Sequence, residues 1–337
     1  MGDEPFGLVL HGTTDEIRAS YKKWESQPVD MDLTDAVPDS PEPCQTTIAQ
    51  EQSVSGPGTF FGKEQRTLVF APSARPGWWF DRRDLPGSLP IRVSVHNVWT
   101  TARNIVLRSG SPHNYMRMVE HIIALRVGMQ IDNLVIRVDS GDPPLFDRGS
   151  MDLVEALETA GKVVSTTPAV WLTPAEPVTV GGPNGSFLTL LPTDVPALHV
   201  DCATDFPNAI GKQRLRFTLN RQVFRQGALA RTNTTAAMRL YCLTIGKLFA
   251  DIRNLGYTNS NILIAGKRRY LNEPKLLHEG KSLEAVWHRS MLDLLAALAL
   301  IEDGRLAARV ISYKSGHSLD VEMMRVLFKY NLLRPLA

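Results

Sequence analysis

Cysteine is scarce in this 337-residue chain: Cys44, Cys202 and Cys242 are odd in number and widely spaced. That argues against a disulfide framework, and without a Cys-x-x-Cys pair there is no structural zinc ribbon. An excess of one charge is missing too, since 37 Lys plus Arg against 35 Asp plus Glu leave a formal net charge of +2. Such a balance offers no electrostatic footprint for nucleic acid, and no long Lys/Arg cluster points to an anionic membrane. Long apolar runs are absent, and the strongest late one, 294–301, is too short for a transmembrane segment. The start, MGDEPFGLVLHG, lacks the basic-then-apolar order of a secretory signal, so a cytoplasmic, reducing location is expected. No Gly-x-Gly-x-x-Gly opens a helix, Gly62-Lys63 fails as a phosphate loop because Pro57 stands five residues before Gly62, and no His-Glu-x-x-His occurs.

What is present is the composition of a globular protein, 43% hydrophobic and 21% charged, with length for about two domains. Residues 1–43, with the acidic stretch VDMDLTDAVPDSPEP, are expected to form a flexible N-terminal extension holding at most a short helix at 15–24. Beyond it, β-branched runs predict strands at 66–72, 91–98 and 133–139, and helical spacing predicts helices at 114–127 and 151–163. The order then repeats. Strands are expected at 186–192, 196–202, 213–220, 261–266 and RVISY, with helices over 236–254, 283–302 and from Leu319. The repetition predicts an α+β protein of two similarly built two-layer α/β-sandwich domains, 44–165 and 166–337.

Chemistry-bearing residues are dispersed: Glu120-His121 in the first half, His288 and Asp293 on the long late helix, and His317 after Tyr313-Lys314-Ser315-Gly316. Two imidazoles and a carboxylate can fill three of zinc's four positions, leaving one for water. Hydrolysing an amide at neutral pH needs such help, because zinc lowers the pKa of water from about 16 to roughly 7. Val119-Glu120-His121, Ile131-Asp132-Asn133 and Pro143-Pro144-Leu145-Phe146-Asp147, followed by Ala230-Arg231-Thr232, Leu271-Asn272-Glu273 and Tyr313-Lys314-Ser315-Gly316-His317, form an ordered series. This series resembles the signature of the UDP-3-O-acyl-N-acetylglucosamine deacetylase (LpxC) family of lipid A biosynthesis, over residues 44 to 337.

The resemblance implies a zinc-dependent deacetylase with its metal at the interface of the two domains. His121, His288 and Asp293 would bind Zn2+, Glu120 would be the general base, His317 the general acid, and the Thr232 hydroxyl would stabilise the oxyanion. Arg289, Asn233 and Lys314 would contact a small-molecule substrate, an acylated nucleotide-amino sugar. The alternative is a divergent, non-catalytic relative kept as a ligand-binding or regulatory module. The chain departs from the family pattern at several points. Asp293 lies five residues after His288 where the family has four, which turns the carboxylate about 140° away on a regular helix. A π-bulge between the two would absorb the extra residue, and one is expected. Ala297, preceded by Ala296, stands where the family carries a second Asp supporting the acid histidine, so His317 is expected to keep a pKa of about 6.5. Arg289 replaces a Lys, Asn233 a Phe, and Thr59-Phe60-Phe61 a Gly-Leu-His element.

Overall fold

The computed structural model describes residues 4–62, 64–248 and 254–336. Its N-terminal segment departs from the flexible extension expected of residues 1–43. Leu8–His11 pairs in parallel with Val178–Gly181, and Met31–Leu33 pairs in parallel with Lys212–Thr218. Between them α1 (Thr14–Glu25) is capped by Thr13, whose hydroxyl accepts the Glu16 N–H, and it buries Ile17 and Trp24 against Phe6, Phe187 and Tyr313. Few apolar residues do this, and their partners lie far along the chain, as with Thr179, whose hydroxyl donates to the Phe6 carbonyl 173 residues away.

Two sheets carry the rest. The first runs Gln52–Pro57, Gln65–Pro72, Leu134–Val138, Trp78–Arg82, Ile91–Arg92. The second runs Leu8–His11, Val178–Gly181, Phe187–Leu191, Ala308–Tyr313, Leu198–Asp205, Lys212–Thr218, Met31–Leu33. Without its two N-terminal edge strands, the second sheet has the connectivity of the first. In each, apart from those edge strands, the last strand of the sheet in chain order inserts between two hairpins, antiparallel to one neighbour and parallel to the other. Strand residues alternate as half-buried sheets require, for instance Leu134, Ile136 and Val138 inward.

Helices fill the space between the sheets. From the first unit come α2 (Glu120–Gly128) and α3 (Met151–Ala160). From the second come α4 (Arg221–Ala228), α5 (Ala236–Leu243), α6 (Glu284–His288), a π-turn (Arg289–Leu294), α7 (Leu295–Leu298) and α8 (His317–Lys329). α2 packs on the π-turn and α7, so it is buried on nearly all sides and shows no single apolar stripe. No described helix is long and apolar enough to cross a membrane.

Several sequence-based boundaries shift for local reasons. The expected strand 91–98 ends after Arg92, and Val98–Thr100 joins Val106–Arg108 and Tyr115–Met116 in a separate three-stranded sheet. The expected helix 114–127 starts only at Glu120, because Tyr115–Met116 is strand and Met118 has a φ of 49°. α3 stops at Ala160, before Gly161 at φ 71°. Helix 236–254 divides into α5 and a 3-10 turn, Ile245–Leu248, while 249–253 lie outside the described residues.

The π-turn sits where the five-residue interval between His288 and Asp293 calls for one. Ser290 serves it directly, its hydroxyl donating to the Val286 carbonyl at 2.8 Å. Gly227 of α4 makes room for it, since a Cβ there would lie 2.2 Å from Cγ of Met291. Helix propensity alone favours Ala over Gly by about 1 kcal/mol, yet this contact should reverse the sign. Gly227→Ala is expected to lower stability by about 1–3 kcal/mol through overpacking. An unchanged denaturation midpoint would show that Met291 yields without cost.

Candidate active site

The first functional pair stands at the start of α2. Glu120 and His121 are both buried there. His121 Nδ1 lies 3.2 Å from Ser150 Oγ, whose own proton goes to the His121 carbonyl at 3.0 Å. Ser150 therefore accepts from Nδ1–H and leaves the lone pair on Nε2. His288 ends α6 and turns its Nε2 toward the same point, 3.3 Å from His121 Nε2. Thr232, opening a strand (Thr232–Thr235) parallel to Ile262–Ala265, places Oγ1 2.9 Å from His121 Nε2 and 3.1 Å from His288 Nε2.

Thr232 is fixed from behind by its neighbour. Arg231 is fully buried, and its guanidinium donates to Glu284 at 2.6 and 3.0 Å, its backbone N–H to the same carboxylate at 3.2 Å. The guanidinium also donates to the Glu273 carbonyl at 2.7 Å. The pair is thus a brace for the Ala-Arg-Thr element.

Asp293 comes off the π-turn. Its carboxylate lies 3.5 Å from His288 Nδ1 and 3.8 Å from His317 Nε2. His317, first residue of α8, also faces Glu120 Oε1 at 3.5 Å, while the Ile105 N–H donates to that same oxygen. Among the described residues, two buried polar atoms in the cluster have no hydrogen-bond partner, Glu120 Oε2 and His317 Nδ1, and His288 Nδ1 has only the more distant Asp293 carboxylate.

Burial and these neighbours set the charges. Burial, reinforced by His288, pushes His121 down to about 3, so it is a neutral imidazole. Burial raises the Glu120 carboxyl, and the His317 charge offsets only part of that. Burial would also raise Asp293, but His288 and His317 outweigh it and hold the carboxyl well below the usual range. For His317 burial pulls downward, and Asp293 with Glu120 pull harder, so its pKa is raised. This corrects the expectation that Ala297 leaves His317 at its intrinsic value: the carboxylate missing at 297 is replaced by Asp293 itself, which stands between both imidazoles.

Glu120, His121, Thr232, Asn233, His288, Asp293 and His317 all line one cavity of about 420 Å3, closed on its apolar side by Phe60, Met118, Met238, Cys242 and Tyr257. Lys314 and Arg289 line a second, adjoining cavity of about 450 Å3, with His317 and Arg103 bordering both. Arg289 does not reach out as a ligand contact. Its guanidinium is buried on the Ser315 carbonyl and hydroxyl and on Asp320, at 2.9, 2.7 and 2.6 Å, where it locks the turn that presents His317. Ser150, Glu284 and Asp320 are the site-forming residues that the motifs did not reveal. Only Arg231, inside the Ala-Arg-Thr element, carried a trace of that arrangement.

Whether the donor set suits a metal can be tested on spacing. Two nitrogens bound tetrahedrally at about 2.05 Å stand about 3.3 Å apart, which is the separation of the two Nε2 atoms. Both imidazoles therefore fit. The Asp293 carboxylate lies by His288 Nδ1, not by the facing Nε2 pair. Among the described residues no three His, Cys, Asp or Glu side chains form a ready-made metal cluster.

The Arg231–Glu284 brace yields a stability test. Removing one partner strands the other in the core, so Arg231→Ala is expected to cost about 3–5 kcal/mol. Chemical denaturation measures it, and a loss below about 1 kcal/mol would mean that water reaches Glu284.

Comparison with known proteins places this geometry. Residues 45–329 match the model of the UDP-3-O-acyl N-acetylglycosamine deacetylase (LpxC) family. A UDP-3-O-acyl-N-acetylglucosamine deacetylase of Bdellovibrio bacteriovorus is 30% identical over 289 residues, covering 84% of this chain and 89% of that protein. Proteins of the same name from Thermosynechococcus vestitus and Cellvibrio japonicus are 27% and 28% identical, covering 84% and 85% of this chain and 93% and 90% of theirs. The chain is a member of the UDP-3-O-acyl-N-acetylglucosamine deacetylase family.

Proposed function

We propose that this protein is a zinc-dependent deacetylase that hydrolyses the acetamide of an acylated UDP-amino sugar in the cleft between the units 44–165 and 166–337. The observation that carries the proposal is the pair of buried imidazoles, His121 and His288, whose Nε2 atoms face each other at a metal-binding spacing beside Glu120 and His317. Their burial without a counter-charge at Nε2 is costly for a scaffold and useful for a cation. His121 and His288 would hold zinc, and Asp293, which stands at His288 Nδ1, is the carboxylate on offer to complete the set. The ion would supply Lewis acidity, which polarises the amide carbonyl and brings the pKa of water to roughly 7.

The chain's own groups do the rest. Glu120 has one carboxylate oxygen tied to the Ile105 N–H and the other free to accept a proton from the attacking water. Water adds to the amide carbon, the C–N bond breaks, and acetate and a free amine result. His317, held between Asp293 and Glu120, gives its proton to that amine as it leaves. Thr232 donates its hydroxyl proton to the developing oxyanion. The apolar wall of Phe60, Met118, Met238 and Tyr257 suits an acyl chain, Asn233 gives the sugar a polar neighbour, and the cavity with Lys314 suits the anionic nucleotide part. The five-residue interval between His288 and Asp293 no longer speaks for a non-catalytic relative, because the π-turn absorbs it.

Elemental analysis of protein purified without chelators should find about one zinc per chain, lost in His121→Ala and His288→Ala. Zinc-free wild type would sink the metal assignment. Incubated with UDP-3-O-acyl-N-acetylglucosamine, the wild type should release acetate, and Thr232→Ala should cut kcat by about 100- to 1,000-fold. Unchanged turnover in that variant would remove Thr232 from the reaction.

A further inference from the structure

The chain is nearly neutral overall, yet its charge is unevenly placed. Residues 232–272 hold six Lys or Arg and a single Asp, while the rest of the chain is net acidic. The same segment leaves apolar side chains in solvent: Leu240 is 64% exposed, Ile245 54% and Leu248 79%. Isolated exposed apolar residues are ordinary, but a contiguous set marks a surface that something covers.

The fold brings the two features together. The strand Thr232–Thr235 pairs in parallel with Ile262–Ala265, Thr235 opposite Ala265. α5 therefore begins at the same end of this ladder at which the chain leaves into the tight turn of Gly266–Arg269, closed by the Gly266 N–H on the Arg269 carbonyl. That turn carries Lys267, Arg268 and Arg269, all exposed, and none is ion-paired with another described residue. A basic turn beside an exposed apolar helix face is the composition of an element that lies in the headgroup region of a membrane.

We propose that this βαβ segment docks the protein on an anionic lipid bilayer, α5 and the 3-10 turn Ile245–Leu248 entering the headgroup layer and Lys267–Arg269 engaging lipid phosphates. Met238 and Cys242, on the opposite side of α5 from Leu240, line the cavity of the site, so the docked helix is also a wall of that cavity. Binding of this kind needs no substrate and no metal, and its failure would leave the deacetylase proposal untouched.

Sedimentation with phosphatidylcholine vesicles, with and without phosphatidylglycerol, tests it on the full chain. Wild type should pellet with the anionic vesicles, stay in solution with the neutral ones, and be released by added salt. The variants Leu240→Glu with Ile245→Glu, and Lys267→Gln with Arg268→Gln and Arg269→Gln, should each weaken binding at least about tenfold while melting like wild type. The charge variant alters only an exposed turn, so it remains informative should the apolar variant misfold. Wild type that stays in the supernatant with anionic vesicles, or a charge variant that binds as well as wild type, would overturn the docking surface.

Discussion

One extra backbone residue in a buried helix governs the catalytic cleft. Between His288 and Asp293 the helix widens into a π-turn, and everything around it is shaped to allow this. Ser290 donates to the Val286 carbonyl beside the irregularity, and Gly227 on α4 withdraws its surface from Met291. An α-helix at this place would carry Asp293 around the axis and away from His288. The wider turn returns it to that face while also advancing it toward α8, which is how one carboxylate comes to stand beside two imidazoles.

A cluster of three imidazoles and two carboxylates, most of them buried, is expensive to hold, and two ion pairs outside it do the holding. Arg231 with Glu284 fixes the strand that presents Thr232, and Arg289 with Asp320 fixes the turn that presents His317. Both pairs are almost wholly buried, so each is worth little compared with an apolar filling but much compared with a broken pair. Their geometry transmits order to the hydroxyl and the imidazole they flank. Arg289 illustrates how a charged residue next to a histidine can look like a substrate contact in sequence and serve the backbone in three dimensions.

Much of the fold was legible because it rests on local patterning. The alternation in Leu134–Val138 marked that strand, the ordered motif series named residues that share one cavity, and the five-residue interval called for the π-turn. What stayed hidden depends on distant partners. Leu8–His11 and Met31–Leu33 read as an acidic lead-in because a few apolar residues suffice for an edge strand whose neighbour lies more than a hundred residues away. Tyr115–Met116 has helix-compatible composition, yet sheet pairing with Val106–Arg108 takes it. His317's environment could not be inferred from Ala297, since the substitute carboxylate arrives from an earlier turn and not from the position one helical turn on.

The matching connectivity of the two sheets explains why a site arises where it does. In each unit a helix directly precedes the inserted strand: α2 in the first, the α6–α7 stretch in the second. In each, another helix follows that strand, α3 and α8. Packing the units helix against helix brings α2 onto the π-turn, so His121 and His288 meet from equivalent elements. The helices that follow contribute from equivalent ends as well, Ser150 at the start of α3 orienting His121 and His317 at the start of α8 facing Glu120. Even the irregular additions correspond, since the three-stranded sheet and the βαβ segment each interrupt the chain between the fourth strand of a unit and its central helix. Two sheets of one connectivity thus bring ionisable groups together where the helices that cover them meet.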